Sequence, residues 1–387
     1  MTKGAETAEE LPRSFFLLIK PISFHCNLRC RYCFYLPKEE LYGPGMHRMT
    51  RETLENATRS YLSQPMEHYS FGWQGGEPTL MGTDFYREAI RLQEKYAPPG
   101  GAEICNSLQT NGTLLGDEWG KLLHEKQFLT GISIDGPAKL HDRFRKDANG
   151  RGSHSDVMRG LKVLRRHHVE FNVLTLVSAS NQDHPAEVYR YLGELGIRYQ
   201  QYIECVETDA EGKRKPFALS PGKWGEFLCR IFDEWYPRDV QDVSIRLFDS
   251  IVSRLATGIP SVCSMGGNCC SYLVLEHNGD VYPCDFHVRE ALRLGNIRET
   301  DFGALRALPR YREWGKIKEP HSQKCLDCRF LPLCMGDCPK NRRKSKSFLC
   351  EDWRVFYTHT IGRFEELAAR VRFRAPGEAP GLSAGNL

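Results

Sequence analysis

Strand-like and helix-like stretches alternate along the first 206 residues, and this constrains the fold more than any other feature of the chain. Strand-like runs lie at 14–23, 68–74, 102–110, 128–135, 169–177 and 198–206, each rich in β-branched or aromatic residues. Helix-like stretches at 50–64, 83–96, 117–126, 156–167 and 184–195 fall between them. Thr50 offers an N-cap to the first helix, and Gly196 in "YLGELGI" closes the last. A β–α series of this kind predicts an α/β fold with a parallel sheet, curled as a full or partial (β/α)6 TIM-type barrel. An open doubly wound sheet is the alternative. Functional residues then belong at the C-terminal ends of strands, and "SFHCNLRC", "QGGEP", "QTNGT" and "SIDGP" each follow a strand directly.

Beyond the alternation the composition shifts. Residues 207–219 are polar and contain Pro216, which reads as a linker, and helices are expected at about 220–235 and 244–256. Residues 260–352 hold Cys263, Cys269, Cys270, Cys284, Cys325, Cys328, Cys334, Cys338 and Cys350, most of the chain's 15 cysteines. An amphipathic helix at 353–373 precedes a Pro/Gly-rich tail. The expected division is 1–14 an N-terminal tail, 15–206 the barrel, 207–259 linker and helices, 260–352 a cysteine-rich domain, and 353–387 a helix and frayed tail. No basic segment followed by an apolar one opens the chain, so cytoplasmic location is expected, where clustered thiols hold metal more often than they pair. A net charge of +4 is too mild to imply nucleic acid, and no apolar run suggests a membrane span.

The densest thiol group is "CNLRCRYC": Cys26, Cys30 and Cys33, spaced C-x3-C-x2-C. A [4Fe–4S] cubane has four irons, and three thiolates leave one open for chemistry. S-adenosylmethionine can chelate that iron through its amino and carboxylate groups, and one electron from the reduced cluster then yields a radical that abstracts hydrogen from unactivated carbon. Three unrelated loop thiols, or a zinc site completed by His25, are the plainer readings of the same residues.

From this loop onward, residues 15–206 resemble the radical S-adenosylmethionine superfamily. The resemblance implies that Gly75, Gly76 and Glu77 of "GGEP" receive the methionine amino group, and that Ser133 and Asp135 of "SIDG" hold ribose hydroxyls. It implies further that Arg145 takes the methionine carboxylate, that Tyr32 lies over adenine, and that Val206, after strand six, touches the cofactor. Glu204 stands where a small apolar residue or proline is expected.

The C-terminal thiols run Cys263, Cys269, then C-x9-G-x4-C through Gly279 to Cys284, then C-x2-C-x5-C-x3-C from Cys325 through Cys328 and Cys334 to Cys338, and last Cys350. Eight thiols make two closed four-ligand sites, and arithmetic alone permits two zinc ribbons. The pattern resembles the SPASM extension, which implies two auxiliary [4Fe–4S] clusters with interleaved ligands. Cys263, Cys269, Cys284 and Cys338 would hold one, and Cys325, Cys328, Cys334 and Cys350 the other. Cys105, Cys205, Cys229 and Cys270 are left as small packed residues.

Asp285 directly follows Cys284 and is a candidate general base for a substrate thiol or hydroxyl. Taken together, "CNLRCRYCFYL", "WQGGEPTLMG", "LQTNGTL", "SIDGPAKLHDRFR" and "VYPCDFHV" resemble the anaerobic sulfatase-maturating enzymes across residues 15–355. That resemblance implies oxidation of a cysteine or serine, in a C/S-x-P-x-R segment of a sulfatase polypeptide, to Cα-formylglycine. It makes Asp285 the base and sets Tyr35 and Gln74 near the substrate. The alternatives are another SPASM peptide modifier forming thioether or carbon–carbon crosslinks, and a zinc-ribbon interaction protein without catalysis. The basic run Lys340, Arg342, Arg343, Lys344 and Lys346 reads either as a solvated loop or as a docking patch for a flavodoxin or ferredoxin electron donor.

Overall fold

The computed structural model describes Pro12, residues 14–343 and residues 345–372. The Pro/Gly-rich tail and most of the expected N-terminal tail lie outside the described residues. The expected strands form as β1 (Phe16–Lys20), β2 (His68–Trp73), β3 (Glu103–Thr110), β4 (Leu129–Ser133), β5 (Phe171–Val177) and β6 (Tyr199–Glu204). Helices Arg51–Leu62, Thr83–Tyr96, Asp117–Glu125, His154–Arg166 and Pro185–Glu194 connect them. Thr50 caps the first, its hydroxyl accepting from the Thr53 N–H at 3.2 Å. After the last, Gly196 N–H bonds the Gly193 carbonyl and Ile197 N–H the Leu192 carbonyl, a Schellman closure.

The six strands lie side by side in chain order, each neighbouring pair parallel. A doubly wound sheet reverses its order at a switch point. Without a reversal, right-handed crossovers all fall on one face and the sheet curls. β1 and β6 do not pair with each other, so the barrel is partial.

Four short strands extend the sheet beyond what the sequence pattern suggests. β7 (Ser244–Ile245) adds to β6; β8 (Tyr272–Glu276), β9 (Asp280–Tyr282) and β10 (Gly295–Asn296) add to the opposite edge. β8 runs parallel to β1 in register from Phe16 opposite Tyr272 to Lys20 opposite Glu276. The cysteine-rich region is thereby joined to the barrel through backbone hydrogen bonds. Helices Lys223–Trp235, Arg246–Thr257 and Cys350–Arg372 pack around Phe232, Phe248, Phe356 and Phe364, with Phe232 and Phe364 rings 4.9 Å apart. Each such burial contributes about 1.5–3 kcal/mol. One apolar core runs from Phe15 to Phe364. Among the described residues no helix is long and apolar enough to cross a membrane.

Candidate active site

The loop after β1 carries Cys26, Cys30 and Cys33 and is pinned by the loops that follow β2, β3 and β4. Gly76 N–H bonds the Ser23 carbonyl at 2.6 Å and Glu77 N–H the His25 carbonyl at 2.7 Å. Gly75 has φ +141°, and a Cβ on Gly76 would stand 1.9 Å from the His25 carbonyl oxygen, so this approach requires glycine. Asn27 Nδ2 donates to Thr113 Oγ1 at 2.8 Å, and Arg29 and Arg31 N–H groups bond the carbonyls of Lys146 and Phe144.

All fifteen cysteines are free thiols. Burial pushes Cys26 up to about 12 and Cys30 up to about 11. Thiols so placed stay protonated unless a metal takes the proton's place. The Cys26 sulfur faces donors, Leu28 N–H at 3.3 Å and Asn111 Nδ2 at 3.6 Å, which suit a metal-bound thiolate. The loop therefore fits a cluster. Among the described residues no group of three or more His, Cys, Asp or Glu converges as ligands of one ion must. Ligands on the separate corners of a cubane stand wider apart, so that finding bears on mononuclear sites.

Beside the loop, Tyr32, Asp135 and Arg145 form one buried unit. Tyr32 Oη donates to Asp135 Oδ2, Arg145 Nη1 donates to Tyr32 Oη at 2.8 Å, and Leu176 N–H donates to Asp135 Oδ1 at 3.0 Å. Burial works against the Arg145 charge, but Tyr32 and Asp135 outweigh it and hold the guanidinium above its ordinary value. Arg145 Nε is buried without a partner, a donor suited to a ligand carboxylate. Ser133, ending β4, accepts from Gln109 Nε2 at 3.3 Å. The Glu77 carboxylate is buried and takes four protein donors: Thr79 N–H and Oγ1, Thr110 Oγ1 and Asn111 N–H. It locks the loop after β2 to the end of β3. Val206 is buried just beyond β6, while Glu204 accepts from Asn341 Nδ2 at 2.8 Å and so faces the cysteine-rich region.

A second buried group occupies the ends of β1 and β8. Lys20 Nζ lies 2.6 Å from Asp285 Oδ1, donates to Gln74 Oε1 at 2.8 Å, and sits 4.5 Å from the centre of the Tyr35 ring. Tyr35 Oη donates to Glu276 Oε1, and burial followed by the Glu276 charge holds that phenol well above its ordinary value. Tyr35, Gln74 and Asp285 are thus brought together. Lys20 and Glu276, both fully buried, escaped the sequence reading. The available signal was a lysine closing the apolar strand "FFLLIK", at the strand end where functional residues belong.

Seven of the eight C-terminal thiols assigned to clusters gather in two sets. Charge interactions link Cys263 with Cys269, Cys284 and Cys338, and Cys325 with Cys334 and Cys350. Burial pushes Cys284 and Cys334 each up to about 12. Lys318 is buried near the first set and donates to the carbonyls of Ser264 at 2.7 Å and Gly266 at 2.5 Å. Gly279, φ +91°, makes the β8–β9 turn, where a Cβ would meet Asn296 Oδ1 at 2.7 Å. Cys270 is buried in the core, its thiol donating to the Tyr311 carbonyl at 3.1 Å. In the basic run, Lys340 pairs with Glu207 at 2.8 Å and Arg342 donates to the carbonyls of Gly336, Lys318 and Met335. Arg343 and Lys346 are exposed, and Lys344 lies outside the described residues.

The family model of the Radical SAM superfamily matches residues 21–192, and that of the SPASM iron-sulfur cluster-binding domain matches residues 263–329. The chain is 37% identical to the serine-type anaerobic sulfatase-maturating enzyme of Bacteroides thetaiotaomicron, over 92% of this chain and 91% of that one. It is 35% identical to the cysteine-type enzyme of Clostridium novyi, over 94% and 99% respectively. The solved structure of native anSMEcpe with bound AdoMet and Cp18Cys peptide superposes with a TM-score of 0.85 at 34% identity, covering 92% of this chain and 99% of that one.

Proposed function

The chain belongs to the anaerobic sulfatase-maturating enzymes, and from that premise we propose how its residues divide the work. The enzyme is a radical S-adenosylmethionine oxidoreductase that converts a peptidyl cysteine or serine of a sulfatase to Cα-formylglycine, with three [4Fe–4S] clusters. We assign the target to a C/S-x-P-x-R segment.

Oxidising the side chain removes one hydrogen atom from Cβ, one electron, and one proton from sulfur or oxygen. Water then replaces sulfur in the thioaldehyde formed from cysteine, releasing hydrogen sulfide. When bound, S-adenosylmethionine and its cluster supply the hydrogen-atom abstraction, and the auxiliary clusters supply a place for the electron. Cys26, Cys30 and Cys33 hold the first cluster; Cys263, Cys269, Cys284 and Cys338, and Cys325, Cys328, Cys334 and Cys350, hold the others. Arg145 grips the cofactor carboxylate, and Gly75 and Gly76 let backbone approach its amino group. Ser133, Asp135, Tyr32 and Val206 line the nucleoside side, and Glu77 keeps the glycine loop in place.

Asp285 receives the proton from the substrate heteroatom. What carries this assignment is the buried Asp285 carboxylate, one residue beyond Cys284, at the C-terminal end of the sheet. Lys20 engages the Gln74 carbonyl and leaves Nε2 as a donor to the peptide, while Tyr35 walls the mouth. Residues 15–206 activate the cofactor, 260–352 carry the auxiliary clusters, and 207–259 connect them. The compartment is the cytoplasm, whose reducing conditions suit free thiols. An acidic flavodoxin or ferredoxin docks on the exposed part of the basic run. The test is mass spectrometry of a synthetic sulfatase peptide after anaerobic incubation with reductant and S-adenosylmethionine. Loss of mass to the aldehyde is expected; intact peptide beside ongoing cofactor cleavage overturns the reading.

A further inference from the structure

We propose that Lys20 is a positioning residue for the oxidation: its buried ammonium fixes the Asp285 carboxylate, the Gln74 amide and the Tyr35 ring in one arrangement where the substrate is to sit. The inference rests on the reading of Asp285 as the base. Lys20 closes β1 with no exposure to solvent, although a buried ammonium costs a great deal unless paired. Three fixed partners account for it: Asp285 at 2.6 Å, the Gln74 carbonyl at 2.8 Å and the face of Tyr35 at 4.5 Å. Each comes from a different element, so the ammonium has little room to wander. Tyr35 is fixed in turn through Glu276, which β8 sets directly opposite Lys20.

The geometry of the pair is what favours a working role over a purely structural one. Asp285 Oδ1 is buried 2.6 Å from the ammonium, a close charge-assisted contact. Among the described residues no group donates a hydrogen bond to the other oxygen, Oδ2, and the Asp285 N–H donates to Tyr272 Oη at 3.3 Å. Lys20 therefore holds Oδ1 and leaves Oδ2 to receive the proton. Contrast Asp135 and Glu77, whose carboxylates are filled with protein donors. In the reaction the bond from hydrogen to the substrate sulfur or oxygen breaks and one forms to Asp285. The auxiliary clusters would supply the acceptor for the electron, and Lys20 neither gains nor loses a proton. An ammonium that never transfers a proton but fixes its neighbour in place acts through that neighbour.

The experiment uses the full chain, reconstituted anaerobically. It measures formylglycine peptide per 5′-deoxyadenosine released, with iron content and thermal unfolding on the same samples. Asp285→Asn and Lys20→Met are each expected to lower that ratio about 100-fold, within the range for a lost general base. The double variant is expected to lie within about twofold of either single variant, since both changes remove one function. A Lys20→Met ratio within about threefold of wild type, while Asp285→Asn loses its product, overturns the role of Lys20 alone. Losses that multiply in the double variant do the same. An Asp285→Asn ratio at the wild-type level sinks the base assignment and this inference with it. If Lys20→Met does not fold, the double variant decides. Folding regained when both charges are gone supports the pairing, and a double variant that also fails to fold makes Lys20 a packing residue and ends the proposal.

Discussion

Two buried charge groups stand at the same end of the sheet, and they are built differently. Around Arg145, Tyr32 and Asp135 nearly every polar atom is matched, with one guanidinium nitrogen, Nε, left over. Around Lys20, acceptors are left over instead: Asp285 Oδ2 has no hydrogen-bond donor among the described residues, and Glu276 Oε2 is buried without one. Spare donors suit an anionic ligand that stays put, whereas spare acceptors suit a proton in transit. The contrast accords with the proposed division into a holding group and a reacting group.

That contrast can be broken in order of expected effect. Replacing Cys30 with Ala removes one proposed ligand of the first cluster, and no 5′-deoxyadenosine should be detected by chromatography; turnover would mean that the loop does not hold the cofactor's iron. Asp285→Asn should reduce aldehyde yield by about 10²–10⁴-fold while cofactor cleavage continues, as read by peptide mass spectrometry against nucleoside release. Arg145→Lys keeps the charge but loses the forked donors, so S-adenosylmethionine should bind about 10–100-fold more weakly by equilibrium dialysis. Product per cleaved cofactor should stay unchanged in that variant, and a fall in it would blur the two groups into one. Smallest is Tyr32→Phe, which removes one bridging hydroxyl and should weaken cofactor binding about 3–10-fold in the same assay.

The holding group was largely legible from the chain. Its members lie in loops directly after strands, and strand periodicity, the Thr50 cap and the cysteine spacing are local signals. The reacting group was legible only in part. Asp285, Tyr35 and Gln74 came from the resemblance, but Lys20 and Glu276 meet only because β8 pairs with β1, and that pairing leaves no local trace. Glu204, unexpected where it stands, makes sense once Asn341 is seen beside it, a contact spanning far-separated segments. In the basic run, the sequence shows charge but not that Lys340 and Arg342 are already spent inside the protein.

The β8 graft onto β1 has a consequence for dissection of the molecule. Cutting between residues 259 and 260 would strip a flank from β1, leaving bare amides and a stranded cation that invite aggregation. Neither half would carry both Lys20 and Asp285. Co-expressing both fragments should restore solubility by complementation, because the missing strand is itself the recognition element.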